Sequence, residues 1–143
     1  MNIERVIPPR RHRRALFALY ALALFAGTHW PSLELAPVGG INRFDLVLHF
    51  TAFFGWTVLC IGCAWFGPML SARNVLRCAL ISIVYAAFDE LTQGLPGINR
   101  HVALDDFLMN GAGVACATGC ALLAGRLAPL RPLVRPDDGS GRS

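Results

Sequence analysis

Charge is scarce in this chain, and lysine is missing altogether. Of 143 residues only 15% are charged while 55% are hydrophobic, and the mean hydropathy is +0.49. A soluble domain of this size needs a polar stripe along every surface helix, and long runs of this sequence have none. That excludes an ordinary soluble protein and leaves a small polytopic membrane protein of one domain. The strict alternation of a membrane β-strand is also absent. Backbone groups cannot stay unpaired in lipid, so the apolar segments are expected to be helices. There is no His-Glu-x-x-His, no nucleophile elbow, no phosphate loop and no Cys-His zinc spacing, so the best-marked hydrolase, nucleotide and zinc classes find no support. No internal repeat is visible.

Four segments carry the apolar content: residues 15–30, 46–66, 75–88 and 107–125. Crossing a hydrocarbon core of roughly 30 Å takes ~20 helical residues at about 1.5 Å each. The second and fourth reach that length. The first and third are short and must recruit flanking residues, which leaves their ends open.

Arginine sets the expected topology. An odd–even assignment places Arg5, Arg10, Arg11, Arg13, Arg14, Arg73, Arg77, Arg126, Arg131, Arg135 and Arg142 on one side, and only Arg43 and Arg100 on the other. Such a bias puts both termini in the cytoplasm. It also accounts for the net charge of +4 without a nucleic-acid partner. The Arg-rich start before an apolar run has the form of a signal peptide. With three further spans behind it, an uncleaved first helix is expected instead, and Arg13-Arg14 is not read as a twin-arginine signal. The chain thus divides into an Arg-rich cytoplasmic segment (1–14), a membrane domain of four helices (15–128) and a solvated, flexible tail (129–143). The expected location is the bacterial plasma membrane.

Three polar clusters interrupt the apolar runs: Asp45 with His49; Asp89, Glu90 and Gln93; and Arg100, Asp105, Asp106 and Asn110. Ionisable groups at that depth are costly and so invite a functional reading. Asp45 and His49 start helix 2, Glu90 and Gln93 end helix 3, and Asp106 and Asn110 open helix 4. An antiparallel bundle gathers all of these ends at one face, the outer one by the arginine argument. Asp45 and His49 are four residues apart, as are Asp106 and Asn110, so each pair shares a helix face. Arg100 offers a planar fork for carboxylate or phosphate. The plainer roles are helix capping for Asp45 and Asp105, neutralisation of acids for Arg100, and interhelical bonding for Asn110. His49 and Glu90 occupy no capping position.

At these residues the chain resembles the VanZ-like proteins, a family named for a teicoplanin (glycopeptide) resistance protein. The family pattern opens one helix with Asp-Lys-x-x-His, continues with Glu-x-x-Gln and an Arg six residues before an Asp, and ends with Asp-x-x-x-Asn-x-x-Gly. Asp45 and His49 match the first element, Glu90 and Gln93 the second, Arg100 and Asp106 the third, and Asp106, Asn110 and Gly113 the last. The resemblance covers about residues 45–125. It implies an integral membrane protein linked in some members to glycopeptide resistance, and supplies no reaction. Leu46 stands where the family carries lysine, and Phe53 where an aromatic, often tyrosine, is common. Losing that lysine removes a positive charge near Asp45; Arg43 is the compensating candidate, though it cannot share the helix face.

The expected binding set is therefore Asp45, His49, Glu90, Gln93, Arg100, Asp106 and Asn110, taking membrane lipids or a lipid-linked or anionic envelope ligand. An enzyme using His49 with Glu90 or Asp106 as acid and base is the alternative, although no activated nucleophile is visible. A buried polar plug that fixes helix register is the structural alternative. A metal set of His49, Glu90 and Asp106 is chemically open, but no metal or other cofactor is expected. Cys60 and Cys63, Cys78, Cys116 and Cys120 fall in or near spans and are read as small apolar packing. Helix 4 carries two small-residue ridges, Gly111-Ala115-Gly119 and Gly113-Ala117-Ala121-Gly125, of the kind that lets backbones approach closely in lipid. Pro96-Gly97 is read as a turn before Arg100.

Overall fold

The structure, a computed structural model, describes residues 8–30, 43–95 and 103–127. Arg100, the Pro96-Gly97 turn, Arg5 and the tail beyond residue 127 lie outside the described residues. Four helices follow one another: α1 (Arg10–Thr28), α2 (Phe44–Gly62), α3 (Ala72–Gln93) and α4 (Leu104–Leu127). No strand occurs among the described residues. The described part of the chain is therefore all-α. By length and apolarity α2 and α4 suffice to cross a membrane, with mean hydropathies of 1.7 and 1.6.

The two segments that looked too short lengthen by taking in polar flanks. α1 starts five residues earlier, with Arg10-Arg11-His12-Arg13-Arg14, and α3 runs on through Asp89 and Glu90 to Gln93. The second segment is shorter than its apolar run. It ends at Gly62, because Ala64 adopts φ 52° and Gly67 φ 136°, which turns Trp65 and Phe66 out of the helix. Asn74 holds this turn. Its Nδ2 donates to Ile61 O (3.0 Å) and Met69 O (2.9 Å), and its Oδ1 accepts from Phe66 N (3.1 Å). Ser71 caps α3 by accepting from Asn74 N.

α2 and α4 pack most closely, α3 lies against both, and α1 leans on α2 and touches α3. The close approach of α4 uses one ridge only. A Cβ on Gly113 would collide with the carbonyl oxygen of Phe50, and one on Gly125 would lie 2.6 Å from Leu70 O; Gly119 has nothing within 4 Å. Gly113 and Ala117 are buried, whereas Ala115 and Gly119 are exposed. The core between the helices is built on Phe53, Ala86 and Val114 at one level and Cys60, Ile61, Val75 and Cys78 at another. Trp56 stacks on Tyr85 at 4.0 Å, tying α2 to α3. All five cysteines are free thiols; Cys60, Cys63 and Cys78 are buried and Cys116 and Cys120 exposed.

Polarity in α3 runs opposite to that of a soluble helix. Asn74, Ser82, Asp89, Glu90 and Gln93 face inward, while Leu76, Leu80, Ile83, Val84 and Leu91 are exposed. A helix in water hides its leucines and shows its acids. Here, beyond the exposed Arg73 and Arg77 of the first two turns, the outer face is apolar, and the polar groups are gathered inside.

Candidate functional site

Four helix ends meet at one end of the bundle: the C-termini of α1 and α3 and the N-termini of α2 and α4. There the buried polar side chains form two adjoining groups. The first joins three helices. His49, in the second turn of α2, is 8% exposed; its Nδ1 lies 3.0 Å from Oδ1 of Asn110, and its Nε2 lies 3.4 Å from Oδ2 of Asp106. Asp106 and Asn110 share a face because they are one helical turn apart on α4. Glu90, 3% exposed, enters from the last turns of α3. Its Oε1 accepts from the backbone N–H of Ala103 (2.7 Å), whose own carbonyl accepts the first bond of α4 from Phe107 N (3.2 Å). Glu90 thus caps α4 from another helix, a role its position at the end of α3 does not advertise.

Within this group polar capacity is left over. Glu90 Oε2, Asp106 Oδ1 and Asn110 Nδ2 are buried and have no hydrogen-bond partner among the described residues. Buried polar atoms are ordinarily satisfied, since each orphan costs about 1–3 kcal/mol. Three in one cluster is a concentration, and they converge from α3 and α4. One donor atom each from His49, Glu90 and Asp106 lies within 4.8 Å of the others, the arrangement a bound cation would use.

The second group centres on Asp89, which is fully buried. Thr28 Oγ1 donates to its Oδ1 (2.8 Å) and Gln93 Nε2 to its Oδ2 (3.0 Å), while His29 Nδ1 lies 3.8 Å away. His29 Nε2 in turn meets Thr92 Oγ1 at 2.8 Å. This group is well satisfied and fastens α1 to α3. Gln93 belongs here and not to the His49 group. Thr28 and His29 ended the first apolar run and gave no sequence signal of this role; only the partner Asp89, deep in α3, hinted that something must face it.

At the surface of the same end, Arg43 bridges two acids. Its Nη2 lies 2.6 Å from Asp105 Oδ2 and 3.3 Å from Asp45 Oδ2. The hydrogen bonds that the guanidinium donates to Asp105 first, then to Asp45, hold its pKa above the ordinary value, so it stays charged. Asp45 therefore sits in an exposed ion cluster above the His49 group, one helical turn from it. Neither Asp45 nor Asp105 caps a helix by accepting from the following turn; besides Arg43, Asp105 accepts from the backbone of its neighbour Asp106 N (3.2 Å). Of the seven residues expected to form one site, His49, Glu90, Asp106 and Asn110 come together, Asp45 lies at the rim, Gln93 lies next door, and Arg100 falls outside the described residues.

Nothing among curated proteins or solved structures matches the chain. A family model described as VanZ/LLP1 matches residues 15–125, which takes in all four helices but the first turn of α1 and the last residues of α4. Every described member of the Asp-His, Glu-Gln and Asp-Asn-Gly pattern lies within that match, at the one end of the bundle where these helices converge, and the chain belongs to the VanZ-like family.

Proposed function

We propose that the protein spans the membrane four times with both termini in the cytoplasm, and that the His49–Glu90–Asp106–Asn110 cluster opens outward to bind a cell-envelope ligand. The inverted polarity of α3 supports the membrane reading, since its exposed leucines want lipid and its buried acids want neighbours. The arginine count supports the orientation. Under it, the cluster faces the side on which glycopeptides and lipid-linked wall precursors are found, which fits the resistance link of the family.

The observation that carries the ligand reading is the set of unpaired buried atoms: Glu90 Oε2, Asp106 Oδ1 and Asn110 Nδ2. A plug that only fixed helix register would gain most by satisfying all of its groups, as the neighbouring Asp89 group nearly does. The His49 group instead keeps two acceptors and a donor in reserve at the mouth of the bundle. Arg43 stands at the rim as the described cation available to an anionic headgroup.

The test is native mass spectrometry of the detergent-purified protein, to identify co-purifying lipid or envelope molecules, paired with glycopeptide susceptibility of cells overexpressing His49→Ala or Glu90→Gln. Both variants are expected to accumulate in the membrane, lose the bound molecule and lose the phenotype. Variants that fail to accumulate, with a wild-type protein that carries no molecule beyond bulk lipid, would make the cluster a structural plug.

A further inference from the structure

We propose that His49, Glu90 and Asp106 form a site for one divalent transition-metal ion of the zinc type, with Asn110 positioning the imidazole. The proposal deepens the ligand reading above and rests on it for what the metal does; whether the metal binds is tested separately.

The first argument is the sorting of donors and acceptors. Asn110 presents its carboxamide oxygen to His49 Nδ1 at 3.0 Å, and an oxygen can only accept there. Nδ1 therefore carries the proton, and a neutral ring keeps its lone pair on Nε2. That lone pair points toward Asp106 Oδ2, 3.4 Å away. Either a second proton on the ring, which makes a histidine–aspartate ion pair, or a metal ion fills that contact; a proton there leaves the remaining carboxylate oxygens of the cluster unsatisfied, and a metal ion does not. Glu90 Oε2 and Asp106 Oδ1, both buried and without donors, add two more acceptors to the same space. A carbonyl that accepts from the other ring nitrogen, and so fixes the tautomer, is the usual accompaniment of a metal-bound histidine.

The second argument is the chemistry and size of the set. One imidazole nitrogen and two carboxylates suit zinc, manganese or ferrous iron better than calcium or magnesium, which favour oxygen alone. The three donor atoms lie within 4.8 Å of one another. Bonds of about 2.1 Å at tetrahedral angles would bring them to about 3.4 Å, a contraction that rotation of the Glu90 and Asp106 side chains supplies. Three protein ligands leave at least one position open. That vacancy resolves an electrostatic difficulty: a histidine and two carboxylates do not attract an anionic headgroup, whereas the same residues holding a dication do. The metal would be what the phosphate or carboxylate of the envelope ligand binds.

The experiment uses the full chain in detergent, purified without chelator. Metal content is measured by inductively coupled plasma mass spectrometry, and titrations use Zn²⁺, with Co²⁺ as the spectroscopic probe. One equivalent per chain is expected. Glu90→Gln and Asp106→Asn, which keep side-chain size, should each weaken Zn²⁺ binding at least tenfold, and Asn110→Ala about 10- to 100-fold through the lost orientation of His49. Asp105→Asn, in the exposed Arg43 cluster, should bind as the parent does. Absence of stoichiometric metal overturns the proposal. So does unchanged binding in Glu90→Gln and Asp106→Asn, or a thiolate-to-cobalt charge-transfer band, which would move the metal to the cysteines. An envelope molecule retained by a metal-free protein would end this proposal and leave the ligand reading standing; metal bound with no envelope molecule in any preparation would do the reverse.

Discussion

The carbonyl oxygen of Phe50 occupies the space that a Cβ on Gly113 would need, and the amide nitrogen of Phe54 lies 2.9 Å from that point. Both obstacles are backbone of α2, so neither can rotate away. Gly113 is thus a point where α4 is pressed against the α2 backbone, about one turn below Asn110 and about two turns below Asp106 on the same face. Contact at this glycine sets the distance across which His49 meets Asn110.

Gly113→Ala is accordingly expected to destabilise. Alanine improves helix propensity by about 1 kcal/mol, but overpacking against a fixed backbone costs about 1–3 kcal/mol. Gly119→Ala, at a position with nothing within 4 Å, should be neutral or slightly stabilising. Thermal unfolding in detergent checks both. Equal melting temperatures for the two variants would contradict the packing.

How much of this was legible in the sequence can be followed residue by residue. The convergence of His49, Glu90, Asp106 and Asn110 follows from antiparallel helices with polar residues at alternating ends, so order and spacing were enough. The division between Glu90 and Asp89 was not legible. Adjacent helical residues point about 100° apart, and which cleft each enters depends on neighbours that are not local in the chain. Asn74 looked like any polar residue before an apolar run; its role as a latch exists only because the chain turns back at Ala64. Which of the two small-residue ridges packs was legible, because Gly113 and Ala117 continue the face of Asp106 and Asn110 in three- and four-residue steps, and that is the buried ridge. Ala64 in the left-handed region breaks α2 at a residue type that carries no such signal.

The latch itself gives a second expectation. Asn74→Ala leaves Phe66 N and the carbonyls of Ile61 and Met69 without their partner. Each group that stays buried and unpaired costs about 1–3 kcal/mol, so the melting temperature should fall clearly. The latch lies at the opposite end of the bundle from His49. Zn²⁺ affinity measured below the transition should therefore be unchanged, and a parallel loss of metal would show that the two ends are coupled.

Topology is open to direct labelling. On a cysteine-free background, Leu104→Cys and Ala72→Cys place single thiols at exposed positions at opposite ends of the bundle. An impermeant maleimide applied to intact cells should reach position 104 and leave position 72 unmodified until the membrane is opened. The reverse pattern would turn the His49 cluster toward the cytoplasm and remove the argument for an envelope ligand.

The last expectation concerns the lysine that this chain lacks. Leu46 takes the family's lysine position, and Arg43, three residues earlier, bridges Asp45 to Asp105 at the rim. If Arg43 supplies the missing positive charge, Arg43→Ala should change stability little, since the pair is exposed and screened by solvent. It should nevertheless reduce the envelope phenotype or the retention of the co-purifying molecule. Adding Leu46→Lys to Arg43→Ala should restore what was lost, because it returns a cation one residue from Asp45. Leu46→Lys alone adds a second cation beside one already present and should strengthen binding of an anionic headgroup only modestly. A double variant no better than Arg43→Ala would show that the arginine acts through its bridge to Asp105 on α4, a geometry that a lysine at position 46 does not reproduce.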